Sequence, residues 1–267
     1  MKRAIVATMT VALGLGLAGC DDKKATTAPI ASSLAPSTPA PTTNKTLKFA
    51  IDPRSATSID MPAPKEHIKA GTDGAMGTVE VDLMNLANTR GEIKADLLSL
   101  STKTFGDAAK DKSQTTHART WLEVADGEEG KLEDGVKSAN RWAVYAIRSI
   151  DNLSATDLTK VAATKEGADE VRTITATTHG EFLLHGHKVD RDADVEVAFH
   201  YPVGGAADKP SSLTIKSKKP FRTTLADYDV KPRDGFGKIA KGAFNLIGTK
   251  VAEVADVSLD LRATPQS

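Results

Sequence analysis

The sequence predicts an all-β domain, an antiparallel sandwich or closed barrel, and three observations carry that expectation. Seven segments rich in Val, Ile, Leu, Thr and Phe run through it, several alternating apolar with polar residues, the period of a strand with one buried face. Clusters of Gly, Pro, Thr and Asp punctuate them at residues 71–74, 89–91 and 202–210. Aromatic residues make up 4% of the chain and there is a single cysteine, so stability has to come from one sizeable aliphatic core without disulfides.

The first 19 residues stand apart. Lys2 and Arg3 precede an apolar run over 4–17, which has the length of a signal-peptide core. It is shorter than the ~20 residues a membrane span needs. Leu17-Ala18-Gly19-Cys20 closes that run and resembles the lipobox of bacterial lipoproteins. In that pattern the peptide is cut before the cysteine, which then carries acyl chains of the palmitate type. Cys20 is therefore the expected lipidation site, and a bilayer the expected first partner. Several acyl chains hold a protein firmly where one binds marginally. The expected location is the cell envelope, lipid-anchored to the inner or outer membrane and facing the periplasm. Asp21 and Asp22 match an inner-membrane retention signal of some enteric bacteria.

Residues 20–45 read as a linker. Ala, Thr, Ser and Pro dominate 25–44, with Pro29, Pro36, Pro39 and Pro41 spaced through it. Such a stretch has little to bury and favours extended conformations. Without residues 1–19, thirty-three basic side chains face thirty-five acidic ones. That balance gives no basic face for nucleic acid.

The folded domain is expected over 46–263. Strands are expected at 47–52, 76–83, 91–100, 171–187, 189–201, 213–219 and 254–262. Residues 141–150 suit either element and are read as a strand. Two helices are expected, a short one over 115–123 and a second over 234–247. In the second, Phe236, Ile239, Ala240, Ala243, Phe244 and Ile247 form one stripe. That stripe packs on the domain or, with Lys238 and Lys241 opposite, rests on a membrane surface.

In this order the segments resemble the YceI-like family, the lipocalin-like polyisoprenoid-binding proteins of bacteria. Phe49-Ala50-Ile51-Asp52 with Arg54-Ser55 resembles the family's opening "iD..hS.i", and Ser99-Leu100-Ser101-Thr102 its "SL.T". His117-Ala118-Arg119 stands where the family has a helical "H-L-R". Gly180-Glu181-Phe182-Leu183-Leu184-His185-Gly186 is similar to "G.LTi.G", with Val195 to Phe199 as the partner strand, and Asp227 to Val230 to "R.dFGi". The chain departs from the pattern at residues 125–140, which precede the next strand. It also departs at Tyr228 and Asp229, which replace the Phe and Gly of the late motif.

The resemblance implies an eight-stranded antiparallel lipocalin-like barrel with one or two short helices. It also implies an apolar interior holding an isoprenoid or quinone, with no enzymatic activity and no other cofactor. On that reading Phe49, Ile51, Val79, Val81, Leu97, Tyr145, Ile147, Phe182, Leu184, Val197 and Phe199 line the interior. The residues by themselves fit a hollow barrel or a packed one equally. The second function kept open is a structural or stress-related envelope protein with a solid barrel and a surface partner site.

Polar candidates are few. His185 and His187 are two apart on an expected strand and so point to one side, shared with His179 and Glu181. A transition metal could use such a group, but no ligand-spacing motif supports one and none is expected. Phe182 and Leu184 take the other face, which makes the histidine side a solvated one. Asp190, Asp192 and Asp194 lack the glycine and terminal glutamate of a calcium loop, and with Lys216, Lys218 and Lys219 they read as solvated charge. No nucleophile elbow, phosphate loop or His-Glu-x-x-His motif occurs.

Overall fold

The computed structural model describes residues 33–34, 43, 45–63, 67–128, 130–240 and 252–266. The expected signal segment, Cys20 and most of the expected linker lie outside these residues. Among the described residues the chain forms β1 (Thr46–Ile51), β2 (Ala56–Pro62), β3 (His67–Thr72), β4 (Met76–Asp82), β5 (Arg90–Asp96) and β6 (Ser101–Thr102), then α1 (Ala108–Trp121) and α2 (Asp134–Asn140). There follow β7 (Trp142–Asp151), β8 (Thr164–Glu166), β9 (Asp169–Leu184), β10 (His187–Pro202), β11 (Ser212–Ser217), β12 (Phe221–Thr224) and β13 (Val254–Pro265).

Eight of the strands close into a ring. Neighbours run β1-β4-β5-β7-β9-β10-β11-β13, and β13 returns to β1 through Phe49↔Pro265, Ala50↔Thr264 and Ile51↔Ala263. Every pairing in the ring is antiparallel. This is the expected eight-stranded barrel, and closure leaves its strands no free edge.

The two ends of the barrel differ because β13 changes partners along its length. Its last residues pair with β11 and β1, while its first half pairs with β2 and β12. β3 and β6 extend the sheet beyond β2. α1 lies against β6, where the Thr102 hydroxyl donates to the Asp111 carbonyl and the Thr102 amide to Thr115 Oγ1. The end ringed by β1, β4 and β11 is narrow and packed: Phe49, Leu83, Phe199, Leu213 and Leu261 are all at most 1% exposed there. The other end is splayed by the added strands.

Gly180 shows how tightly β7 and β9 meet. A Cβ there would fall 2.3 Å from the Ala146 carbonyl oxygen and 2.8 Å from the Tyr145 ring. Gly180→Ala is expected to destabilise the domain by ~1–3 kcal/mol or more, read by urea denaturation, because neither the backbone nor a ring held by three polar contacts can give way.

Several elements depart from the sequence expectation. α1 starts at Ala108, seven residues before the expected 115, because Asp107 caps it, accepting from the Ala109 and Lys110 amides at 3.1 and 3.0 Å. The helix expected from Asp234 is replaced over 234–240 by a turn. Asp234 Oδ1 accepts from the Phe236 and Lys238 amides, and Gly237 takes φ +71°, which closes the turn before a helix can start. The rest of that segment, 241–247, lies outside the described residues. The expected strand over 171–187 stops at Leu184. His185 and Gly186 both have positive φ, +48° and +74°, and form a two-residue hairpin turn. In the linker, Leu34 is 7% exposed and packs outside the barrel against Val144, Ala146, Leu183 and Trp142.

Candidate functional site

The splayed end of the barrel encloses a cavity of about 550 Å³, within the ~300–1,000 Å³ range of small-molecule sites. Its wall follows from strand alternation. Thr57, Ile59 and Met61 of β2 point inward, as do Phe221 and Thr223 of β12 and Ala255, Val257 and Leu259 of β13. Ile93 and Ala95 face them from β5, Leu97 from the turn that follows it, and Phe182 and Leu184 from β9. Phe182 meets Phe221 and Tyr228 edge-to-face at 5.8 and 5.6 Å, which fixes one wall. α1 lies along the mouth. Its residues Lys110, Ser113, Gln114, His117, Ala118 and Trp121 recur at helical spacing on the cavity side. Lys110, Ser113 and His117 are exposed, so this is where solvent meets the lining.

Ile93, Tyr145, Ala193 and Leu259 form the floor. They border both the cavity and a void of about 60 Å³ beneath it. Tyr145 is the structural pin of this layer. Its hydroxyl lies 3.0 Å from the Arg191 carbonyl, 3.1 Å from the Thr178 carbonyl and 3.0 Å from Thr178 Oγ1. Burial pushes its phenol up to about 12.

Four of the residues expected to line the interior, Leu97, Tyr145, Phe182 and Leu184, are on the cavity wall. Val79, Val81, Ile147, Val197 and Phe199 border only the small void. Phe49 and Ile51 touch neither hollow and belong to the packed core. The correction has a plain cause. All these side chains point inward, but they sit in the narrow half, where facing strands meet and fill the space. The wall contributed by β2, β12 and α1 was missed. Residues 56–62 alternate Ile59 with Met61 but run into Pro62-Ala63-Pro64, which hides the strand.

The histidines are placed differently from expectation. His179 is on the outer face, between Asp192 Oδ1 at 2.6 Å and Asp151 Oδ2 at 2.9 Å, and Asp192 followed by Asp151 raises its pKa. Glu181 pairs with Arg148. His185 does not share that solvated face. The hairpin turn swings it inward, where it is 4% exposed. Its Nδ1 lies 2.9 Å from the Tyr228 carbonyl and its Nε2 3.0 Å from Glu123 Oε2. Arg233 Nη1 approaches Glu123 Oε1 at 3.4 Å, and Arg233 and Lys231 both pair with Asp229. Of the four non-glycine residues with positive φ among the described residues, Glu123, His185 and Asp229 converge here. Asp194 is likewise engaged, by Lys219 at 2.8 Å.

The chain has three tyrosines, Tyr145, Tyr201 and Tyr228, and burial raises each to about 12. A spectrophotometric titration of the native protein is expected to show no phenolate step near 10. The folded pKa exceeds the unfolded one, so this stability is complete below about 10 and is lost as pH rises towards about 12. A native titration step near 10 would contradict this burial.

No protein-family model and no curated protein matches the chain. Two solved structures are similar to it in chain trace. One, described as a polyisoprenoid binding domain from Saccharophagus degradans implicated in plant cell wall breakdown, is 13% identical with a TM-score of 0.47, over 82% of this chain and 99% of that one. The other, BcnA from Burkholderia cenocepacia, is 13% identical with a TM-score of 0.45, over 79% and 96%. At this level of likeness no ligand is inferred from either.

Proposed function

We propose that the protein binds one elongated lipid, an isoprenoid or a prenylated quinone, by burying its apolar chain in the splayed half of the barrel. The supporting observation is the cavity itself, about 550 Å³ walled by Ile, Leu, Val, Met and Phe side chains. Such a lining rewards removal of hydrocarbon from water and offers an anionic or polar molecule little. On this reading no bond is made or broken. A barrel packed from end to end, the alternative, does not describe the half that is hollow.

The membrane tether through an acylated Cys20 is the second part of the proposal, and it rests on the lipobox resemblance. Cys20→Ser is expected to abolish labelling by a palmitate analogue and to leave residues 1–19 attached, seen by gel fluorescence and intact mass.

Native mass spectrometry of the gently extracted protein tests the ligand. The expected spectrum carries an added mass in the range of a prenyl lipid, released on activation. An empty domain that also fails to take up an added prenylated quinone would overturn the reading.

A further inference from the structure

We infer that His185, His187 and Asp229 form a binding site for a divalent transition-metal ion of the zinc class, at the rim of the cavity. Their ligand atoms all lie within 4.8 Å of one another. Ligands around a tetrahedral zinc at ~2.0–2.1 Å stand about 3.4 Å apart, so closure asks for a modest inward movement. His187 is exposed and can supply that movement, its ring already lying 6.2 Å from that of His185.

The buried partner is pre-oriented. His185 Nδ1 donates to the Tyr228 carbonyl at 2.9 Å, which fixes the ring and presents Nε2, the arrangement that metal-bound imidazoles use. Glu123 Oε2 stands 3.0 Å from that Nε2 and holds the ring from the other side; the ligand group itself is the two imidazoles and Asp229. Two imidazoles with a carboxylate suit zinc, nickel or copper, whereas calcium and magnesium prefer all-oxygen sites. The backbone supports a built arrangement: Glu123, His185 and Asp229 each hold a left-handed φ, of +53°, +48° and +52°.

Two cations stand beside the site and decide how it loads. Arg233 is 10% exposed and stays in place on Glu123 Oε1 and Asp229 Oδ2, which leaves Asp229 Oδ1, the oxygen that Lys231 holds, for an ion. Lys231 pairs with Asp229 but is 36% exposed, and it can leave for solvent. An incoming ion therefore takes the place of the Lys231 ammonium on Asp229, and Lys231 acts as a competitor for the site. The consequence reaches the cavity. Phe182 and Leu184 precede His185, Val230 and Pro232 follow Asp229, and all four line it. An ion at this point ties the 229–240 segment to the β9–β10 hairpin.

The inference does not depend on the lipid reading and is tested apart from it. Isothermal titration of the full, untagged chain with zinc is expected to give one site, with magnesium giving none. His187→Ala, at an exposed position that leaves the core untouched, is expected to weaken zinc binding by at least about tenfold. Lys231→Ala is expected to tighten it, since it removes the competitor. No zinc binding, or zinc binding that neither variant changes, would overturn the site.

Discussion

Ala95→Phe and Ala255→Phe are expected to abolish uptake of a prenylated quinone while leaving the domain at least as stable as before. Both alanines point into the cavity from opposed strands, β5 and β13. A phenyl ring at either place occupies room that the lipid chain would need, so affinity should fall by well over tenfold, each factor of ten being ~1.4 kcal/mol. Stability moves the other way. Filling an existing hollow commonly adds ~0.5–2 kcal/mol, because the new ring gains contacts with walls that lacked them. Quinone-dependent fluorescence quenching measures the first effect and thermal melting the second. A variant that loses binding and melts lower would point to damaged folding instead of a blocked cavity.

The largest stability effect is expected at the other end of the barrel. Phe49 is fully buried and meets the Phe199 ring edge-to-face at 6.5 Å. Phe49→Ala is expected to cost ~3–5 kcal/mol in urea denaturation, through lost burial and the void left in a packed layer. A domain of this kind has ~5–15 kcal/mol in total, so the variant sits near the threshold of folding. Phe182→Ala is expected to cost less, because one flank of that ring already borders the cavity. Equal losses at the two positions would mean that the halves of the barrel are packed alike.

The contrast between Phe49 and Phe182 also marks what was legible in the sequence. The resemblance put both rings inside, and both are inside. Alternation carried no information about height along the barrel axis, which depends on strand stagger and on where β13 changes partner from β1 to β2. Pairing of β1 with β13 joins residues more than two hundred positions apart, and no local pattern records it. The resemblance supplied the ring that periodicity alone left open. His185 failed for a local reason. Two-residue turns are read from Asn-Gly or Asp-Gly, and here His185-Gly186 makes one, so a strand reading ran three residues too far, through the turn and into the next strand. The cap of α1 at Asp107 was legible, but the helix is too polar for its periodicity to stand out. The 234–247 stripe misled because Gly235 and Gly237, with the Asp234 side chain, outweigh apolar spacing in the residues described.

The layer at Tyr145 closes the hollow from beneath, and the opening described lies beside α1. If the hollow takes a lipid as proposed, the slender tail enters first, the head stays at the threshold beside α1, and release runs back along the same way. Any donor and acceptor would then be met by the same face of the molecule, in turn.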